Sequence, residues 1–337
     1  MNMNSIPRFA SMEEACRAVQ IDLRKEPRPG SWTRADAIDG DRVGRNDGSV
    51  MAFSSGRGGY ACNWRLNAEA LWFIDAGRKL TRLEQRALRR ELDEEKKKRE
   101  AEDRDKYAKA ATFARHLLSK ARPIERAGGH EYLRRKHVRP VASLVVMDAD
   151  EINAEFQRSY VDWPYRLQTD GRPFCGPVLM YPLIDGKNFE DVIGLEFISE
   201  EGAKAYLWRA RAAGACWVPK ELRTLNAAPE VVGIAEGLAT ALSIQQVNGF
   251  PVVAARYCGN LPAIARAVKR RFPGAHLVVL GDKGRGEEDA EEAAKSIRAE
   301  LYIPTFTDEQ VARFKQITES ASPPTDFNDF YLATEEL

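Results

Sequence analysis

Hydrophobic and polar positions fall into distinct regimes along the chain. Up to about residue 75, short apolar pieces alternate with glycine turns: Ser31–Arg34, Gly48–Phe53, Tyr60–Trp64 and Ala70–Ile74. Strand-sized runs bounded by glycines predict a small antiparallel sheet. An amphipathic helix over Met12–Leu23, with Ser11 as its cap, precedes it. From Thr81 to about Ala121 the chain turns polar, without Gly or Pro and with opposite charges at i,i+4 spacing. That predicts one long solvated helix, whose apolar positions are too sparse for a heptad seam. Only Tyr107, Phe113, Leu117 and Leu118 are suited to docking, and Pro123 ends the helix. Next, Pro177–Leu183 and Val192–Ile198 flank a turn at Asp185–Gly186 and read as a hairpin. The last regime alternates apolar strands (Val231–Ala235, Pro251–Ala255, Leu277–Leu280, Leu301–Pro304) with helices (Leu238–Val247, Leu261–Arg271, Glu287–Glu300). Such alternation predicts a parallel sheet with helices on both faces.

The expected fold is therefore α/β. A β-rich N-terminal domain covers 1–78, a charged linker helix 79–122, an α+β subdomain 123–228, and the parallel α/β domain with its C-terminal tail 229–337.

Two junctions in that last domain carry candidate chemistry. Glu236 follows the strand Val231–Ala235 and stands where a helix begins; Gly237 is expected to turn the backbone sharply. Asp282 follows the strand that ends at Leu280, among Gly281, Gly284 and Gly286. If the two strands are neighbours, the carboxylates converge on one edge, where open α/β sheets bind ligands. Two hard oxygen ligands suit Mg2+ or Mn2+. The plainer reading is two solvated carboxylates at strand ends.

Three motifs occur in order: Glu236-Gly237-Leu238-Ala239-Thr240-Ala241, Gly259-Asn260-Leu261 and Asp326-Phe327-Asn328-Asp329. With these the chain resembles the TOPRIM domain of DNA primases and topoisomerases, and in particular the primases of conjugative plasmids, phages and integrated elements. His130-x-Tyr132-Leu133-x-x-Lys136 resembles a further segment of that family. The hairpin followed by Lys204-Ala205-Tyr206-Leu207 is similar to the N-terminal subdomain of bacterial replicative primases.

The resemblance implies a primase-type nucleotidyltransferase that makes RNA primers on single-stranded DNA from ribonucleoside triphosphates, with Mg2+ or Mn2+ as cofactor. It implies Glu236, Asp282 and Lys204 as catalytic residues, and Glu236, Asp282, Asp326 and Asp329 as metal ligands. Nucleotide or DNA contacts would fall to Arg57, Lys136, Lys204, Asn260 and Lys283. Arg57 sits in the glycine-rich loop Gly56–Gly59, suited to phosphate. Plainer readings stand beside these. Lys204 also reads as a surface lysine, the commoner case without the motif, Asn260 as a helix cap, and Thr325 or Asp326 as the cap of a short helix Asn328–Thr334. The sequence also departs from the family pattern: Asp282-Lys283-Gly284 stands where an Asp-x-Asp is usual. Glu287, Glu288 or Asp289 can substitute for the missing carboxylate, or serve the helix dipole; Lys283 can replace one metal charge. A TOPRIM nuclease and a single-stranded-DNA-binding accessory protein with a weakened site remain as alternatives.

Composition adjusts the picture in a few places. Lys+Arg 51 against Asp+Glu 50 leave a net charge of +1, so any nucleic-acid surface is a local patch. Aromatics interleaved with arginines before residue 75 suit either base stacking or the core of the small sheet. The 5 cysteines form no Cys-x-x-Cys pair, which argues against a zinc ribbon and for reduced thiols in a cytoplasm. Neither a membrane span nor a signal-peptide pattern is found, so a cytoplasmic location without membrane partners is expected. The absence of a P-loop motif points to a separate helicase as partner.

Overall fold

The structure, a computed structural model, describes residues 6–38, 47–53, 56–63, 66, 68–73, 82–159, 165–224, 229–284 and 286–334. The chain forms two compact units, Met1–Asp103 and Arg104–Leu337.

The first unit is a sheet with one helix. Its elements are β1 (Arg8–Phe9), α1 (Met12–Ala18), β2 (Ile21–Asp22), β3 (Trp32–Ala37), β4 (Gly48–Ala52), β5 (Gly58–Asn63) and β6 (Ala68–Phe73). The strand order is β1-β6-β5-β4-β3-β2, antiparallel except for the β1–β6 pair. Ser11 caps α1 by accepting from the Glu14 N–H. The helix is shorter than the periodicity predicts, because the backbone turns left-handed at Gln20 (φ 56°) and residues 21–22 pair as a strand. Ala15 and Val19 share a core with Val50, Ala61, Ala70 and Trp72. Phe53 is also buried, whereas Trp32 stays 45% exposed. So the aromatics divide between core and surface. Trp64, Arg42, Arg45 and Arg65 lie outside the described residues.

The long helix α2 (Arg82–Lys120) ends in the second unit. Ala110, Phe113, Ala114 and Leu117 are buried there, while Tyr107 remains 36% exposed. Their partner is an element the sequence reading left unassigned: β8 (Val145–Asp148) leads into α4 (Ala149–Ser159), with β7 (Arg122–Pro123) and α3 (Glu131–Arg135) before them. The Phe113 and Phe156 rings lie 4.8 Å apart. Beside them the buried Glu155 accepts from His116 Nε2 (2.7 Å), Lys120 Nζ (2.7 Å) and Arg158 Nη1 (2.5 Å).

After a small ribbon of β9 (Gln168–Thr169) and β10 (Arg172–Pro173) comes the expected hairpin, β11 (Pro177–Asp185) and β12 (Val192–Ile198). With β13 (Lys204–Tyr206) it builds the antiparallel order β13-β12-β11-β8-β7, and β14 (Ala215–Cys216) pairs the end of β11. The short helix α5 (Lys220–Thr224) closes this lobe.

The parallel sheet contains β15 (Val231–Ala235), β16 (Val252–Ala254), β17 (His276–Leu280) and β18 (Glu300–Tyr302). Its order is β16-β15-β17-β18. Strands buried on both faces read as continuous apolar runs, and β15 obeys. Val232 and Ile234 pack with Leu261, Ile264 and Ile297 of helices α7 (Leu261–Arg271) and α8 (Glu287–Ile297). Ala235 packs on the other face with α6 (Leu238–Asn248). That second core also takes in Leu179, Tyr181 and Leu183 of β11, so the two lobes share it. An antiparallel bridge between Trp217 and Ala254 ties them further.

Several expected boundaries shift, most strands and α6 by one or two residues at an end. The helix expected to reach Glu300 ends at Ile297, because Arg298 adopts a left-handed conformation (φ 56°) and turns the chain into β18. Helix α9 (Asp308–Thr318), which the sequence reading did not name, opens with a capping box of Thr307 and Gln310. The last helix, α10 (Phe327–Thr334), begins one residue before the expected start.

Candidate functional site

The site lies where the strand order reverses. β15 runs to β16 on one side, while β17 and β18 continue on the other. The register pairs Ala235 with Leu280, so both neighbouring strands end at the same level. Glu236 follows one directly and Asp282 follows the other after Gly281. This is the switch point at which open α/β sheets bind ligands. Gly281 is required there: a Cβ would come within 2.8 Å of the Ala290 Cβ on α8. Gly237 is not needed for a sharp turn. Its backbone is extended (φ −98°, ψ 155°), and the expectation of a glycine-only conformation at that position is corrected.

The carboxylates crowd one another. Burial pushes the Asp282 carboxyl up to about 8, helped by the charges of Asp326, Glu236 and Asp329 and opposed by Lys204. Its Oδ1 is buried without a hydrogen-bond partner among the described residues. Burial also raises Glu236; Lys204 and the Cys258 N–H, which donates to it, pull the other way. Asp289, on the first turn of α8, adds its charge near Glu236 and hydrogen-bonds the Cys258 thiol. Asp326 is raised by burial and by Asp329, while the Thr240 hydroxyl donates to it. Even so, no group of three or more His, Cys, Asp or Glu side chains is arranged to hold a metal ion among the described residues.

The other residues singled out from the sequence take varied places. Asp326 Oδ1 accepts from the Asp329 N–H at 2.9 Å, so Asp326 caps α10. Asp329 is buried and engaged: Oδ2 accepts from the Thr325 N–H at 2.9 Å, and Oδ1 lies 3.3 Å from Lys136 Nζ. Lys136 thus points at the motif rather than into open solvent. Burial pulls its ammonium down, but the charges of Asp326 and Asp329 outweigh this and hold it above the ordinary lysine value.

Lys204, on the edge strand β13, is exposed by area, yet protein charges surround its ammonium. Tyr132 and Glu196 raise it, against burial and Lys136. Asn260 faces inward: both amide hydrogens donate to backbone carbonyls, of Ala215 (2.8 Å) and Ala255 (2.9 Å), and Oδ1 accepts from the Gly214 N–H. It has no amide hydrogen left for a nucleotide, and it makes no side-chain cap bond. Lys283 is exposed, its Nζ 5.9 Å from the centre of the Phe306 ring. Its N–H donates to the Thr325 carbonyl at 2.7 Å, tying the Asp282 turn to the C-terminal motif. Glu287 reaches back to the Gly284 N–H at 2.5 Å. Arg57 lies exposed in the β4–β5 turn of the other unit.

Sequence reading passed over Arg256. Its N–H donates to the Glu236 carbonyl at 2.8 Å from a left-handed backbone (φ 79°). Its guanidinium lies 4.0 Å from the Tyr206 ring centre, and its Nε is 3.4 Å from Glu196 Oε2. Glu196 is buried in the otherwise apolar β12. A lone carboxylate in that run was the readable signal, since buried charges need partners.

Residues 231–335 match the Toprim domain, and the chain carries one there. The chain is 33% identical over 143 residues to a DNA primase TraC of Escherichia coli, and 32% identical over 122 residues to a second protein of that name and organism. Those alignments cover 40% and 33% of this chain but only 13% and 8% of the relatives' own lengths. Among solved structures, the DnaG primase catalytic domain bound to ssDNA is similar at a TM-score of 0.41 and 16% identity, over 58% of this chain and 66% of that one. The E. coli primase catalytic core gives 0.34 and 18%, over 64% and 74%.

Proposed function

We propose that this chain is a primase-type nucleotidyltransferase that makes RNA primers on single-stranded DNA. The observation that carries the reading is the pair Glu236 and Asp282 at the ends of adjacent parallel strands, inside the matched Toprim segment. The curated relatives are DNA primases by name, which supports the same chemistry.

The donor set fits a divalent cation of the Mg2+ or Mn2+ kind: hard carboxylate oxygens that repel one another, one of them buried and unpartnered among the described residues. A bound cation would lower the pKa of the attacking 3′-hydroxyl and neutralise charge at the α-phosphate. Glu236 and Asp282 would hold it. Lys204, on the edge strand beside them, binds substrate phosphate as a point charge. The reaction joins the 3′-oxygen to the α-phosphorus and releases pyrophosphate. Unwinding falls to a separate helicase, and the setting is the cytoplasm; no helix among the described residues is long and apolar enough to cross a membrane.

A second reading is a single-stranded-DNA-binding replication protein with weakened catalysis. It is favoured by Asp282-Lys283-Gly284 standing in place of an Asp-x-Asp, and by the absence, among the described residues, of a group of three or more His, Cys, Asp or Glu arranged to hold a metal ion. The deciding experiment incubates the chain with single-stranded DNA, labelled ribonucleotides and Mg2+ or Mn2+, and scores primers and cleavage products. Primers lost in Glu236→Gln, with an unchanged melting curve in metal-free buffer, bear out the primase. Cleavage alone marks a nuclease, and DNA binding without products marks the accessory protein.

A further inference from the structure

Lys136 is gripped at both ends by the C-terminal motif. Its carbonyl accepts from Asn328 Nδ2 at 2.7 Å, and its Nζ lies 3.3 Å from Asp329 Oδ1. Asn328 is fully buried, and its Nδ2 also donates to Ser243 Oγ at 2.7 Å. Ser243 belongs to α6, the helix that starts beside Glu236. Asp329 is held in turn by the N–H groups of Thr325 and Asp326. The ammonium therefore has a fixed place against the motif's two aspartates, and its side chain is only 29% exposed. A free lysine ammonium is a strongly hydrated point charge on a flexible stem. This one is already paired and half-buried.

We propose that Lys136 is the resident counter-cation of the carboxylate cluster. It is a positioning residue that balances Asp326 and Asp329, and so sets how strongly Glu236 and Asp282 attract a divalent ion. The proposal rests on the reading that Glu236 and Asp282 hold such an ion. Without the ammonium, Asp329 and Asp326 would add unbalanced negative charge to the cluster. Without the Asp329 charge, the ammonium would repel an incoming cation. The two changes must therefore act in opposite directions on metal affinity, a pattern that a purely structural role does not produce.

The test is calorimetric titration of manganese chloride into the full chain and its variants, with melting curves recorded in EDTA. Lys136→Met should tighten manganese binding about three- to tenfold, the size expected of one unit charge acting on a divalent ion across several ångströms of partly solvated protein. Asp329→Asn should weaken it by a similar factor, and the double variant should return close to wild type. In parallel, the salt dependence of binding to oligo-dT should be the same for Lys136→Met and wild type. Singles that leave manganese affinity unchanged, or move it the same way, overturn the proposal. So does a salt slope reduced by about 0.7, which marks Lys136 as a phosphate contact. Should Lys136→Met fail to fold, Asp329→Asn against the double variant decides. A wild type that binds no manganese, or whose binding survives Glu236→Gln, overturns the underlying metal reading along with the proposal; unchanged singles against a binding wild type overturn the proposal alone.

Discussion

At the scale of single residues, the candidate site is a place of opposed charges. Asp282 holds its proton up to about 8 in the folded chain, whereas an unfolded aspartate releases it near about 3.9. Between those values the native state binds the extra proton, so stability in metal-free buffer must fall as pH rises through that window. Asp282→Asn removes the titrating group and the repulsion from Asp326 and Glu236. Its melting temperature in EDTA at pH 8 should exceed wild type, with a flatter pH dependence; a lower one would show the carboxylate to be a structural partner. Gly284 stands where a second aspartate of an Asp-x-Asp would fall, but its φ is +90°. Side chains pay a strain of about 1–2 kcal/mol in left-handed backbone, and a new carboxylate would sit beside Glu287, which already takes the Gly284 N–H. Gly284→Asp should therefore lower metal-free stability by about that amount, measurable by denaturant unfolding. Any gain in manganese affinity would come on top of that loss.

At the scale of elements, the docking of α2 turns on Glu155. It is buried and accepts from three cationic or potentially cationic side chains, and the Lys120 and His116 hydrogen bonds hold its carboxyl down to about 2. Because the folded value lies below the ordinary one, this contribution is fully present above about 4.3 and is lost as pH falls toward about 2. Hydrogen bonds to charged groups are each worth roughly 1.5–3 kcal/mol, and the exposure of the three cations places the effect at the lower end. Glu155→Ala should cost about 2 kcal/mol. It should also raise amide exchange over Ala110–Lys120, while leaving manganese binding unchanged. Equal exchange in both proteins would assign the docking to Phe113 and Phe156 alone. The apolar positions of this helix segment were legible in the sequence; their partner α4 was passed over, although Asp148, whose Oδ1 accepts from the Asp150 N–H at 2.9 Å, with Glu151 three residues on, is a readable start signal for an eleven-residue amphipathic helix.

At the scale of the whole molecule, the second unit carries the candidate site entire. Glu236, Asp282, Lys204, Lys136 and the C-terminal motif all belong to Arg104–Leu337, with cores that span both its lobes. A fragment of residues 104–337 should melt cooperatively and bind manganese as the full chain does; a fragment that fails to fold would give the first unit a stabilising role. The sequence by itself determined the parallel sheet, because apolar runs separated by helical periods leave few other ways to bury both. It also determined the helix limits at Leu261–Arg271 and the pairing of Glu236 with Asp282 as candidates, because local hydrophobic pattern and strand-end position are written residue by residue. Only the tertiary structure decided the use of the remaining polar residues. Asn260 turned inward to three backbone groups, Lys136 to Asp329, and Lys283 toward Phe306. Arg256 came to bridge Glu196 and the Glu236 carbonyl. A polar side chain serves whichever unsatisfied group folding brings to it, and those groups lie from 5 to 193 residues away along the chain.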